Sequence, residues 1–283
     1  MQSPKGSLAQ PPESADLAAL YRRTRLAFPP RLVARVAALA GLAAGDAVLD
    51  LGTGTGMLAI PFAAQGFAVT AMDPDPDMLV QARAAEIEVN AGAPVIWRAG
   101  GSDDLTADMG PFRLAVIGRA FHWMDRAATL AMLARIVTAD GAVALFHDAH
   151  PPVAENDWFK ILCAAVKRHG ADENRDGGGR DGGRRGGHRR YEPFLFASAF
   201  RQIESASVTI RRTLTAEDIV AHAFTLTRCA PARLDERAGA FADDLRRALL
   251  KLSPDGRFTE VAELVAVVAR RPVDQANSTF TIS

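Results

Sequence analysis

Apolar positions change their period repeatedly along this chain. Leu17, Leu20 and Tyr21 follow helical spacing, with Arg22, Arg23 and Arg25 behind them. Pro29-Pro30 interrupts that segment and is placed to open a second helix over 31–40, since proline lacks only an amide that a first turn leaves unbonded. Beyond the Gly45-Asp46 turn the period shortens. Residues 47–51 form a compact apolar run of the kind a buried parallel strand presents. Helical and strand patterns then alternate: helix 57–65, strand 67–72, helix 75–90, strand 94–98, strand 113–117, helix 126–138 and strand 142–147. Such alternation predicts an α/β chain, a Rossmann-like doubly wound and mostly parallel sheet with helices on both faces.

The regularity stops after Asp148. A helix is expected over 155–169, followed by Asp172 to Arg190, which has seven glycines between Gly177 and Gly187 and almost nothing to bury. Composition alone makes that stretch a flexible segment, and it divides the chain into a main domain (1–148 with 196–283) and a helical or lid insert (149–195). Residues 203–212 alternate as a strand does, two helical stretches follow over 216–227 and 232–252, and 261–269 is a closing apolar run. A strand arriving this late suits an antiparallel addition to the sheet. Pro4, Gly6, Pro11 and Pro12 make residues 1–13 read as a loose arm.

Composition adds exclusions rather than a function. Apolar residues are 48% and charged residues 23% of 283, ordinary for a globular enzyme. Thirty-three basic side chains balance thirty-three acidic ones, so no global field gathers phosphate backbones, and nucleic acid is not an expected partner. The start of the chain has no apolar leader, and no uncharged run reaches the roughly 18 residues of a membrane span, which points to the cytoplasm. Cys163 and Cys229, in no CxxC spacing, read as two free core thiols.

The chemistry begins at Val48-Leu49-Asp50-Leu51-Gly52-Thr53-Gly54-Thr55-Gly56, a strand entering glycines and then a helix. Glycines let the backbone turn sharply and approach a ligand where a Cβ would clash, and the next helix aims its amides at the bound group. Asp73 lies twenty-one residues beyond Gly52, where a carboxylate can accept both hydroxyls of a ribose. A nicotinamide dinucleotide enzyme has much of this, and Gly54 to Ala59 satisfies the loose GxGxxA pattern. Asp50 favours another ligand. Two residues ahead of the first glycine, it can meet a cationic amine, which a pyrophosphate loop has no use for.

VLDLGTGTG followed by TAMDPDPDML resembles the nucleotide-binding core of class I S-adenosylmethionine (SAM)-dependent methyltransferases, especially the broad methyltransferase-11/25-like group. The resemblance extends to Tyr21 through Arg25 with Phe28-Pro29, to GRAFHWMD (118–125) and to FTEVAELVAVVARRP. It implies SAM as cofactor. Asp50 and the loop of Gly52, Thr53, Gly54 and Gly56 would hold the methionine portion and ribose side. Asp73 would take the ribose hydroxyls, with Pro74 and Met78 near the adenine and Ser102 and Asp103 at its amino group. Gly118 would line the methionine chain, Arg25 would pair with the SAM carboxylate, and Tyr21 and Phe121 belong to the same cofactor set. Trp97 to Gly101 carries two glycines where relatives often have one.

Methyl transfer from a sulfonium gains much of its rate from alignment, and a base is needed only if the acceptor must lose a proton. His122, His147 and His150 follow strand ends, where α/β sheets place their crevice. His122, within Phe121-His122-Trp123, and His147 are the catalytic candidates, the latter with Asp148 as an orienting carboxylate, although neighbours on a strand face opposite ways. A metal is not expected, because one carboxylate among His147, Asp148 and His150 is too few for a hard cation. Trp158, Phe159, Tyr191, Phe194 and Phe196 flank the glycine-rich stretch as core or as a lid. The arginines at 184, 185, 189 and 190 read as a solvated loop or as a contact for RNA or an acidic substrate. The expected partner is a small-molecule methyl acceptor, with transfer to nitrogen or oxygen open. A nicotinamide oxidoreductase and a non-catalytic SAM-binding protein are the alternatives.

Overall fold

A computed structural model describes residues 14–89, 93–171 and 191–272. The loose arm expected over 1–13 and the glycine-rich stretch 172–190, with its arginines, lie outside the described residues. Helices α1 (Ser14–Thr24) and α2 (Pro30–Leu39) precede β1 (Ala47–Leu51), α3 (Ala59–Ala63), β2 (Ala68–Asp73), α4 (Pro76–Val89) and β3 (Ile96–Ala99). Then come β4 (Phe112–Gly118), α5 (Arg126–Ile136), β5 (Val137–Ala149), α6 (Asp157–His169), α7 (Glu192–Phe196) and β6 (Gln202–Thr215). The chain continues through α8 (Ala216–Phe224), α9 (Pro231–Leu234), α10 (Arg237–Leu252) and β7 (Arg257–Arg270).

The sheet runs β3-β2-β1-β4-β5-β7-β6. Strands β1 to β5 pair in parallel, while β7 is antiparallel to both β5 and β6. The expected late antiparallel strand is therefore β7, inserted between β5 and β6. Alternate residues of one strand serve opposite faces, as the pleat requires. Val48, Leu114 and Val116 pack with Leu32, Val33 and Val36 of α2 and Phe62 of α3. Leu49, Leu51 and Ile117 pack on the other side with Leu130 and Leu133 of α5. Burying both faces is what makes the strands read as continuous apolar runs.

A third core lies in a helical cap. Trp158 and Leu162 of α6, Ile219, Val220 and Phe224 of α8, and Phe241 and Leu245 of α10 enclose it with Leu20 of α1. Trp158 is thus core, whereas Phe159 stacks on His150 at 4.3 Å and Phe196 is exposed. Helix α8 starts cleanly because Thr215 and Asp218 form a capping box. Three expectations need correction. The helical stretch 232–252 divides into α9 and α10 at Asp235, whose φ of 49° no helix accommodates. Strand β5 begins at Val137, inside the expected helix, because Val137 already pairs with Phe112. Of the two free thiols only Cys229 is buried; Cys163 is exposed. Among the described residues no helix is long and apolar enough to cross a membrane.

Candidate active site

The turn after β1 is built from left-handed glycines. Gly52 has φ 72° and Gly54 φ 55°, conformations that cost an L-residue about 1–2 kcal/mol. A Cβ on Gly52 would lie 2.5 Å from the Cβ of Ala120, so the loops after β1 and β4 approach as closely as they do only through glycine. Gly118 is held to the same requirement by Leu58, 2.8 Å from where its Cβ would be.

These turns enclose a cleft of about 460 Å³ over the carboxyl ends of β1, β2 and β4. Tyr21, Gly52, Gly54, Asp73, Pro74, Met78, Ser102, Asp103 and Gly118 all line it, so nine residues predicted for the cofactor share one wall. Asp50 and Thr53 border a smaller adjoining cavity of about 30 Å³, together with Gly52, Gly54 and Gly118. Gly56 and Phe121 correct the prediction. A Cβ on Gly56 would meet Ile60 and Trp97, so this glycine serves packing, and Phe121 is buried edge-on to Tyr191 at 5.5 Å. Arg25 also stays off the cleft wall, lying over the Tyr21 ring at 4.8 Å and donating to the carbonyl of Thr225 at 3.2 Å.

The two acidic residues are tied into the turn. Asp73 accepts the amide of Gly54 at 2.7 Å and that of Asp75 at 3.0 Å. Burial raises its pKa against the pull of those two bonds. Asp50 accepts the hydroxyl of Thr53 at 2.6 Å and the amide of Ala59 at 2.9 Å, both through Oδ2. Its Oδ1 is buried with no hydrogen-bond partner among the described residues. Desolvation outweighs the two bonds and pushes Asp50 up to about 7. A buried carboxylate with one free oxygen is complementary to a cation that completes it.

The catalytic candidates fall elsewhere. His122 is exposed and is not part of the cleft wall; partial burial, then the charges of Arg126 and Arg25, hold its imidazole below the ordinary range. His147 is buried and lies 6.1 Å from the Tyr191 ring. The pairing of His147 with Asp148 gives way to another: Asp148 meets Arg119 at 3.2 Å, as strand alternation requires. Sequence reasoning missed Arg119, Trp123, Met124, Gly101 and Asp104, which all line the cleft. Arg119 left one signal, its place directly after the glycine that ends β4; Asp104, whose carboxylate accepts the Gly101 amide at 2.7 Å, is placed only by the fold.

Residues 48–141 match a family model described as a methyltransferase domain. An uncharacterized methyltransferase of Mycobacterium tuberculosis is 31% identical over 156 residues, 55% of this chain and 59% of that protein. The chain thus spans less than two thirds of the length of that curated relative. Among solved structures, a provisionally named type II methyltransferase from Anaeromyxobacter dehalogenans superposes with a TM-score of 0.58. It is 18% identical, and the match covers 87% of this chain and 97% of that one. The [4+2]-cyclase SpnF superposes with a TM-score of 0.50 at 14% identity, over 88% of this chain and 85% of that one. At such identities the likeness is one of fold, and the fold by itself does not name a reaction. The domain match, the strand order and the Asp50–Asp73 turn agree: through residues 48–141 the chain is similar to methyltransferase domains of the class I SAM-dependent kind.

Proposed function

We infer that this protein transfers the methyl group of SAM to a nitrogen or oxygen atom of a small molecule. The observation that carries the reading is the buried, unpartnered Oδ1 of Asp50 beside the glycine turn. The ammonium of SAM is the cation that satisfies it. A nicotinamide dinucleotide offers no amine there and would leave a carboxylate beside its pyrophosphate.

The remaining residues suit the rest of the molecule. Asp73 keeps lone pairs for ribose hydroxyls, and Pro74, Met78, Ser102 and Asp103 line the adenine end. Gly118 admits the methionine chain close to the end of β4. When bound, SAM supplies an electrophilic methyl on a good leaving group. The protein's part is to hold the acceptor in line with that methyl, for which positioning is worth roughly 7–11 kcal/mol at best. Trp123, exposed at the mouth, and Tyr21 offer aromatic surface where an acceptor would dock. The balanced charge supports a small acceptor over a nucleic acid.

Calorimetry of the purified protein with SAM, S-adenosylhomocysteine and NAD tests the cofactor. Micromolar SAM binding is expected, and NAD binding without SAM binding would overturn the reading. Turnover against a panel of amines, phenols and sugars then separates an enzyme from a SAM-binding protein.

A further inference from the structure

The smaller cavity holds more than Asp50. It opens beside the main cleft and shares Tyr21, Gly52, Gly54, Gly118 and Arg119 with it. At about 30 Å³ it has room for roughly two small polar groups, so it suits the end of a ligand whose body fills the 460 Å³ cleft. Two polar atoms of its wall residues are buried with no hydrogen-bond partner among the described residues: Oδ1 of Asp50 and the hydroxyl of Thr55. The two residues are only 1% and 2% exposed. Arg119 is the third polar group there. Its guanidinium is pinned: Nη1 faces Asp148 at 3.2 Å, Nη2 donates to the Leu26 carbonyl, and the Phe28 ring lies 4.5 Å away. Its Nε keeps a donor with no hydrogen-bond partner among the described residues. The Arg119 backbone takes φ 57°, a left-handed conformation that L-residues adopt at a cost and that is concentrated at ligand sites.

We propose that this cavity is a receptor for the charged end of an α-amino acid, in which Thr55 and Arg119 take the carboxylate while Asp50 takes the ammonium. The identity of that end as the methionine portion rests on SAM being the cofactor. A bare ammonium would satisfy Asp50, but it would leave the Thr55 hydroxyl buried and unbonded and would share a small cavity with a guanidinium. A bare carboxylate would meet Thr55 and Arg119 but face Asp50. A zwitterion answers all three groups, its anion toward the donors and its cation toward the free carboxylate oxygen. Asp148 is then a positioning residue, since its hold on Nη1 fixes the guanidinium from the end of β5. Arg25 lines neither cavity, so the carboxylate falls to Arg119 instead.

Calorimetry with two ligands tests this: S-adenosylhomocysteine and its decarboxylated analogue S-adenosyl-3-thiopropylamine, which keeps the amine and loses only the carboxylate. The wild type should prefer S-adenosylhomocysteine by about thirtyfold or more, as hydrogen bonds to a charged group predict. Thr55→Val, which keeps the side-chain shape, and Arg119→Met should each weaken S-adenosylhomocysteine by about tenfold and leave the amine within about threefold. The preference therefore shrinks in both. Should Arg119→Met not fold, joining it to Asp148→Asn removes both charges of the pair. A wild type that binds the two ligands alike, or a preference that either variant leaves unchanged, would overturn the assignment alone; a cavity that only held water would give that result. Absence of S-adenosylhomocysteine binding would overturn the cofactor reading, and this assignment with it.

Discussion

The carboxylate of Asp73 accepts the amide of Gly54 at 2.7 Å, so the end of β2 fixes the turn that leaves β1. The two strands are parallel neighbours, and their register brings Asp50 opposite Ala71, one residue before the end of β1 and two before the end of β2. The ligand wall is thus a property of two adjacent strand ends. Asp73 has a structural duty in the free protein and, under the proposed function, a recognition duty in the complex, which makes its substitution informative.

Asp73→Ala is expected to weaken SAM binding by about 1.5–3 kcal/mol, the usual worth of hydrogen bonds to a charged group. Part of that loss should appear as a looser Gly54 turn. Calorimetry checks the first effect and amide exchange at Gly54 the second; unchanged affinity would remove Asp73 from the ribose site.

Asp50→Asn should abolish tight SAM binding and stabilise the ligand-free fold. Because folding raises the Asp50 pKa to about 7, the native state favours the protonated form. Its penalty is absent at low pH, grows between about pH 4 and 7, and is complete above that, up to about 4 kcal/mol. Urea denaturation at pH 5 and pH 8 should therefore show a gain that is larger at pH 8. The wild type should lose SAM affinity as pH falls below 7, since a protonated Asp50 cannot hold a cation. A gain independent of pH would contradict the assignment.

Gly52→Ala and Gly54→Ala should separate folding from binding. Both carry the left-handed backbone cost of about 1–2 kcal/mol. Only at Gly52 does the new Cβ collide, 2.5 Å from Ala120; at Gly54 nothing lies within 4 Å. Thermal melting should show the larger loss for Gly52→Ala, while Gly54→Ala loses only the backbone cost, about 2–4 °C for each kcal/mol, together with ligand affinity. The reverse order would mean that the turn is not packed as described.

Glu260→Ala should cost about 3–5 kcal/mol, the price of leaving Arg212 and His150 buried without their carboxylate. Burial works to raise the Glu260 pKa, but the bonds from His150 and Arg212 prevail and hold it below the ordinary value of 4.5. Its stabilisation is thus present above about pH 4.5 and lost as pH falls through the lowered value. Chemical denaturation of wild type and mutant should converge toward acid pH; a constant difference would count against the pair.

His122→Ala should keep S-adenosylhomocysteine affinity within a few fold and lower turnover by less than about tenfold, whereas loss of a general base would cost roughly 10²–10⁴. The measurement uses the first acceptor that the panel yields. A loss of the larger size at His122 would return it to the site.

Much of this protein is written in short-range pattern. Apolar period and turn residues specify the alternation from 47 to 147, because strand and helix faces repeat every few residues. Glycine spacing and the acidic residues at two strand ends mark the ligand wall, since parallel strands deliver their carboxyl ends to one edge. Tertiary structure decided what depends on separation along the chain. Arg25 meets Thr225 across 200 residues, and His150 meets Glu260 across 110, contacts that no local spacing encodes. Side-chain charge acts through space, so the groups that surround an imidazole, and with them its chemistry, exist only once the chain has folded.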